Sequence, residues 1–586
     1  MGRKARRAEA PGERGAPRRG LALREPATGR RRWLLLLAAA AAFWLLVEAY
    51  GPALRGPFLF DDLYLPFTRP GLADAPLRSW LGSVRPMLML SYWVSYRLSG
   101  LDPFPYHLFN VVVHFLTGLL VFFSARKLLA QASVPADRGA LLAAFVAGLF
   151  LLHPLQTESV AYVASRSEVL SGFFYYAALA VFLLRRQVEI GWLRAGSVIL
   201  LYGAAVLSKE HAVSLAGLLL LADYFFNPGF SLAGIRRNWR LYVPLALGGL
   251  AALKLVWNVL AASDSAGFGI RDFTWYQYFF TQCRALWLYF RLFLLPYGQN
   301  LDYDFAVSRQ VTDHGAIWGL LGLLVLVGGA VYARKRWPLA ACGILGALIT
   351  LAPTSSLVPI LDPVAERRTY LAVPWLALAC VEPLRRWRAS TLRLGAVTVI
   401  CLLAAATLSW RRNQVWSSAI ALWEDTVAKA PRKQRPHFQL AYAYYQEGRC
   451  QEAVKEYARA AELGPADYRL LVDWAMAYDC AGQPEPALEK LRQAARLENT
   501  AHVHALMGMI YGKQQRRQEA LAELDAAARL DPNFEMTYLY RGNVHFSAGE
   551  YAEAAAEYRR ALALNPNNAA VREALARAEA ALNRAR

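Results

Sequence analysis

The chain has 586 residues, 56% of them hydrophobic, with 65 Lys and Arg against 44 Asp and Glu. That length calls for at least two domains, and the apolar excess sits before residue 410 in runs long enough to cross about 30 Å of hydrocarbon, which excludes an ordinary soluble enzyme. The net charge of +21 does not mark a nucleic-acid binder, because much of the positive charge lies in residues 1–32 and in short loops between apolar runs and is not gathered on one face.

Residues 1–32 read as a basic cytoplasmic tail. Residues 33–50 (WLLLLAAAAAFWLLVEAY) follow as a first transmembrane helix, too long for a signal core and without a clean small-residue cleavage site. Further apolar segments lie near 106–124, 139–152, 168–184, 191–207, 212–226, 241–260, 274–295, 315–333, 337–353, 369–382 and 392–409. Basic loops should be cytoplasmic. Strict alternation satisfies the loops at 125–127, 185–186 and 235–240 but leaves ARKRW at 333–337 outside, so one segment must enter and leave on the same face. The segment 274–295, rich in Trp and Tyr and carrying Arg284 and Arg291, suits a helix lying at the interface. About eleven crossings follow, with the C-terminus opposite the N-terminus. The extracytoplasmic loops 51–105, 153–167, 208–211, 261–314 and 354–368 then hold nearly all the unusual polar residues.

After residue 410 the pattern changes to a helical repeat. Pro431, Pro465, Asn499, Pro532 and Pro566 recur every 33 to 34 residues, with Ala453, Ala487, Ala520 and Ala554 ahead of them. Tyr444, Tyr478 and Tyr511 fill one large-residue slot, and Tyr457, Leu491, Leu524 and Tyr558 another. This is the tetratricopeptide pattern of paired helices, with four repeats over 434–566, a degenerate helix at 416–431 and a polar capping helix at 569–586. The expected organisation is therefore all-α: a polytopic helix bundle over 33–410 and a repeat domain over 416–586. Cys283, Cys342, Cys380 and Cys401 read as packing residues, whereas Cys450 and Cys480 are free to pair if the repeats are extracytoplasmic.

The residues fit for chemistry cluster in the extracytoplasmic loops. Asp61 and Asp62 stand directly after the first crossing, where two carboxylates are costly without a role. One can accept a proton from an incoming hydroxyl while its neighbour orients the acceptor or holds a divalent cation; an ordinary capped loop is the plain alternative. His107, Asn110 and His114 share one helix face that could line a polar cavity or hold helices together. Arg85 can pair with the aspartates or with a phosphate. The stretch 151–170 offers His153, Glu158, Arg166 and Glu168, with no HExxH spacing. Lys209 and Glu210 end a helix as site residues or as an interfacial ion pair. Glu366, Arg367, Arg368 and Tyr370 suit a phosphate clamp or interfacial anchoring. No P-loop, Rossmann fingerprint, Cys/His zinc cluster or G-x-S-x-G elbow is present, which favours a donor activated in advance and delivered within the bilayer.

Together the motifs FLFDD, RP followed by YHLFNVVVH, LLHPLQTESVAYVASRSE, LSKE and AERRTY, in that order and ahead of the repeats, resemble the transmembrane and tetratricopeptide repeat-containing O-mannosyltransferases and their bacterial relatives, of the GT-C glycosyltransferase superfamily. The resemblance implies a GT-C fold and inverting transfer of a sugar, mannose first among them, from a dolichyl- or undecaprenyl-phosphate donor to Ser or Thr hydroxyls of proteins. It implies Asp61 or Asp62 as general base, with Arg85, Arg166, Lys209 and Arg367 as holders of the lipid phosphate. His107, Asn110, His153, Glu158, Glu210, Glu366 and Tyr370 are the expected cavity lining. A lipid-linked transferase or ligase acting on glycans and a non-catalytic scaffold using its repeats are the competing readings. A transporter fits less well, because the charged residues gather at one face and not at midplane.

Overall fold

The computed structural model describes residues 29–69, 71–185, 187–262 and 265–585; the tail before residue 29 and Arg186 of one basic loop lie outside the described residues. Among the described residues every regular element is a helix, and the one β-contact is an isolated bridge between Ala266 and Ile360. The fold is all-α.

Each apolar segment expected from the sequence forms a helix. Four are long and apolar enough to cross a membrane alone: Leu36–Leu54, Pro103–Gln131, Asp313–Ala333 and Thr391–Ser417. A fifth arises if Ala136–Leu152 and Pro154–Ala161, bent by 48°, count as one broken span. The bend falls at Pro154, which cannot donate to the helix ladder and drives His153 to ψ 133°. The expected eleven crossings therefore rest on several helices shorter than a full span. Leu215–Phe226, for example, has 12 residues, because Glu210–Ser214, which would extend it, is a 3-10 turn entered from an extended Lys209. Short helices persist here because neighbours cover them: Arg166–Leu183 packs between Pro103–Gln131 and Trp192–Val206, and 14 of its 18 residues are buried. The segment 274–295 forms Trp275–Leu294, which exposes Trp275, Tyr276, Trp287 and Leu294 and buries Tyr278, Cys283, Leu286 and Tyr289.

Residues 29–45, the start of the helix Gly29–Leu54, form a unit of their own, with Trp33, Leu36, Leu37 and Trp44 exposed. Residues 46 onward form the second unit. Within it, Ala419–Lys429, capped by Ser418, leads into four helix pairs. They are Gln434–Gln446 with Cys450–Leu463, Tyr468–Cys480 with Pro484–Leu497, Ala501–Lys513 with Arg517–Leu530, and Glu535–Ser547 with Tyr551–Leu564. The helix Ala569–Ala585 closes the array. The alanines of the repeat pattern are fully buried, as are Tyr457, Leu491 and Leu524. Gly508 and Gly542 let paired helices touch: a Cβ at either would lie 2.5 Å from Leu524 or from the Tyr558 ring. Cys450 and Cys480 are joined as a disulfide with Cα atoms 5.7 Å apart.

The change of sequence pattern near residue 416 is not a break in packing. One hydrophobic core unites Ala53, Leu59, Tyr162 and Leu301 with Trp416, Trp423, Leu440 and Trp474. The first repeat and the first helix of the second thus share a core with the loops that carry the unusual polar residues.

Candidate active site

The site is built from a tight turn after the first helix. Residues Phe60–Tyr64 form a 3-10 turn entered through Phe60 at φ +50°, a left-handed conformation disfavoured for a residue with a Cβ. Asp62 is buried and clamps the turn: one carboxylate oxygen accepts the Leu59 N–H at 3.0 Å and the other the Ala164 N–H at 2.6 Å. Burial pushes its carboxyl up to about 8, against the backbone donors of Leu59, Ala164 and Val163 that favour the ionised form. Asp61, one residue earlier, is exposed, and its N–H donates to the Tyr162 hydroxyl at 2.9 Å. Burial and the neighbouring aspartates push that hydroxyl well above its ordinary range. The adjacent carboxylates therefore differ in kind: one is spent on the backbone, the other is presented outward.

Three ion pairs stand nearby. Arg85 grips Glu210 with two hydrogen bonds of 2.8 Å, Lys209 pairs with Glu168, and Arg367 bonds Glu158 through its backbone N–H at 3.0 Å and its guanidinium at 2.5 Å. His211 lies 3.3 Å from Glu168. They form one electrostatic group, since Lys209 feels both Arg85 and Arg367, while Tyr162 feels Arg367, Asp61 and Asp62. The Glu168 and Glu158 side chains are only 3% and 2% exposed, whereas Lys209 and Arg367 keep 17% and 28%. The carboxylates sit behind the cations and orient them. Burial lowers the Lys209 ammonium, while for Arg367 burial is outweighed by Glu158 and the guanidinium is held above its ordinary range. A set of cations with accessible edges, each backed by a carboxylate, can receive a phosphate without rearranging.

Other residues singled out in the sequence lie elsewhere. Arg166 does not join the cations. Its guanidinium is fully buried, donates to Asn110, Ser95 and the Ser91 and Tyr106 carbonyls, and is enclosed by the rings of Tyr92, Tyr106 and Phe109. With its donors and its faces engaged, it ties helices together and does not hold a donor phosphate. His107 bonds the Ala161 carbonyl at 2.8 Å, and Asn110 donates to the Val160 carbonyl at 3.2 Å. His114 joins the Tyr370 hydroxyl to the Leu151 carbonyl. His153 donates to the Phe293 carbonyl and accepts from the Leu155 N–H. These residues line interior hydrogen bonds and not an open cavity. Glu366 is buried and holds the segment Gln299–Tyr303 through Gln299, the Asn300 N–H and the Tyr303 hydroxyl. Arg368 caps the carbonyls of Asp362 and Pro363.

Two further contacts carry no sequence signal. Tyr162 lies inside a motif but has no partner within it. Asp302, buried between Lys433 and Arg435, meets them across about 130 residues. Among the described residues no group of three or more His, Cys, Asp or Glu stands close enough to hold a metal.

Family models described as tetratricopeptide repeats match residues 403–468 and 501–534, and one described as a TPR repeat matches 542–582. The protein O-mannosyl-transferase F38B6.6 of Caenorhabditis elegans is 22% identical over 448 residues, covering 72% of this chain and 62% of that protein. The protein O-mannosyl-transferase TMTC1 of Homo sapiens is 26% identical over 494 residues, 71% of this chain and 54% of that one. The protein O-mannosyl-transferase TMTC3 of Mus musculus is 24% identical over 561 residues, 83% and 58%. The chain thus spans between 54% and 62% of the length of these relatives. Among solved structures, the TPR protein YrrB, described as having an unusual peptide-binding site, is 18% identical over 30% of this chain and 91% of its own, at a TM-score of 0.24.

Proposed function

We propose that this chain, which is similar to protein O-mannosyl-transferases over 71–83% of its length and carries tetratricopeptide repeats, is an integral-membrane glycosyltransferase of the GT-C type. It moves a sugar, mannose by the chemistry its relatives' names give, from a polyprenyl-phosphate donor to Ser or Thr hydroxyls of extracytoplasmic proteins. The observation that carries this reading is the division of labour in the aspartate pair beside the three cations.

In this mechanism the acceptor hydroxyl approaches Asp61, the carboxylate that is exposed. As the hydroxyl oxygen bonds to the anomeric carbon, its proton passes to Asp61 and the bond from that carbon to the donor phosphate oxygen breaks. The electron pair leaves with the phosphate, whose charge is met by Arg85, Lys209 and Arg367. Attack opposite the leaving group inverts the anomeric centre. Asp62, with both oxygens on backbone N–H groups, keeps the turn in place. The lipid tail finds suitable chemistry in an apolar cavity of about 240 Å³ lined by Trp287, Phe290, Phe293, Leu294 and Leu376.

The placement of basic loops and the Cys450–Cys480 disulfide both support repeats on the extracytoplasmic side, in a periplasm or an endoplasmic reticulum lumen. There the repeats bind the protein acceptor. The test is transfer of radiolabelled mannose from polyprenyl-phosphate mannose to membrane protein. Wild type should transfer, Asp61→Asn should lose transfer, and Asp62→Asn should retain a measurable part. Full activity in Asp61→Asn removes the base assigned here. Label appearing on glycan and not on protein moves the reading to a glycan transferase, and absence of any transfer favours the scaffold.

A further inference from the structure

We propose that the start of the array, through the first helix of the second repeat, is part of the catalytic unit, and that Trp423 is a positioning residue that holds the Asp61–Asp62 turn in its strained conformation. The proposal rests on the glycosyltransferase reading above for its kinetic consequence only.

A residue with a Cβ stays at φ +50° only where its surroundings hold it. Phe60 is that residue, and its ring meets the Trp423 indole edge-on at 5.3 Å between centroids. Trp423 belongs to Ala419–Lys429, the helix that opens the array, and is 3% exposed. The turn is gripped from the same direction at four further points. Tyr162, which accepts the Asp61 N–H, lies 5.5 Å from the Trp416 ring. Gly56 approaches so closely that an added Cβ would sit 2.5 Å from the Trp416 carbonyl oxygen. Arg469, on the first helix of the second repeat, donates to the Tyr64 hydroxyl at 2.9 Å. Leu59, whose N–H the Asp62 carboxylate accepts, shares a buried core with Trp423, Leu440 and Trp474.

A second segment that shares this core is tied to the array as well. Leu301 joins that core, and Asp302 beside it is held by Lys433 and Arg435 from the first repeat, with Arg435 bridging on to Asp362 at 2.8 Å. A different core begins on the far side of the second repeat, with Leu471, Leu488 and Leu491, and runs through the third repeat to Val544, and another closes the fourth. Two halves of one array thus differ in role: residues up to about 480 hold the walls of the site, and the later repeats extend beyond it.

The test uses the full chain in detergent or nanodiscs, with a short hydroxyl-bearing peptide as acceptor. Trp423→Ala should lower kcat at least tenfold, leave KM for peptide and donor within twofold, and raise hydrogen exchange over 57–65 while 501–530 stays protected. Trp423→Phe should restore most of the kcat. Arg469→Gln, which removes a bond made by an exposed side chain, should cost a few-fold in kcat with the exchange increase confined to 63–66. Lys513→Ala in the third repeat should change neither readout. Unchanged exchange over 57–65 in Trp423→Ala overturns the proposal. So does a rise spread over the whole chain in that variant, provided Arg469→Gln is silent. The exchange measurement needs no donor, so it decides the contact even where wild type transfers nothing, an outcome that would instead count against the glycosyltransferase reading.

Discussion

Two regions of this protein bury carboxylates among cations, and they do so differently. Around Asp223, every bond is internal: Arg185, Asn227, Asn238 and the Tyr242 hydroxyl converge on its two oxygens, and the Arg185 side chain is only 8% exposed. Around Asp61, the carboxylates of Glu158 and Glu168 are just as buried, but Arg367 and Lys209 keep accessible edges and Asp61 itself is exposed. The first arrangement consumes its charge to join helices. The second leaves oriented charge with an accessible edge. Burial of an acidic residue therefore says little about role, and the exposure of its partner says more.

Disrupting each region should separate the two roles. The largest effect expected is on transfer by Asp61→Asn, a loss of about 10²–10⁴-fold for a general base, with the melting temperature unchanged; a drop in melting temperature matching the lost activity would place Asp61 with Asp223. In the Asp223 region, Asp223→Ala leaves Arg185 buried without its partner and should cost about 3–5 kcal/mol of stability. The kcat of the protein that remains folded should be unaltered, as read by chemical unfolding and by kinetics per folded molecule. Arg367→Ala should raise KM for the lipid donor about tenfold, the scale of one charge-assisted hydrogen bond at roughly 1.5–3 kcal/mol, while Arg185→Ala should not touch KM.

Smaller effects sharpen the picture. Loss of the disulfide in Cys450→Ser should lower stability by about 2–4 kcal/mol, since the bond closes a long loop in the unfolded chain, and should leave short-peptide kinetics alone. Asp62 gives a pH dependence. Its carboxyl lies at about 8 in the fold against 3.8 ordinarily, so the folded state binds its proton more tightly than the unfolded chain. Its stabilising contribution is full below 3.8 and is lost as pH rises through about 8. The melting temperature of wild type should therefore fall relative to Asp62→Asn between pH 5 and 9, and parallel curves would contradict the burial of that carboxyl.

Much of the fold was legible without coordinates because its cause is local. The repeat period over 434–566 places Ala453, Ala487, Ala520 and Ala554 at helix contacts by stacking of neighbours alone, and all four are fully buried there. The Asp pair stood out because carboxylates beside an apolar helix need a reason. The pairs Arg367–Glu158 and Arg85–Glu210 were visible as residue types but not as partners, since they join positions 209 and 125 residues apart. Arg166 was legible as a cation and misread as a ligand. Nothing in SRSEVL tells that Tyr92, Tyr106 and Phe109 will close around it.

The sequence by itself determined the helical class, the array and the short list of acidic and basic residues from which a site could be made, because periodicity and residue chemistry act over a few turns of chain. Tertiary structure alone decided which aspartate is exposed and which is buried and clamped, which cations keep an accessible edge, and that Trp423 bears on Phe60. Those outcomes depend on burial and on hydrogen bonds between segments far apart in the chain, and a carboxylate or a guanidinium takes its role from whichever partners packing brings to it.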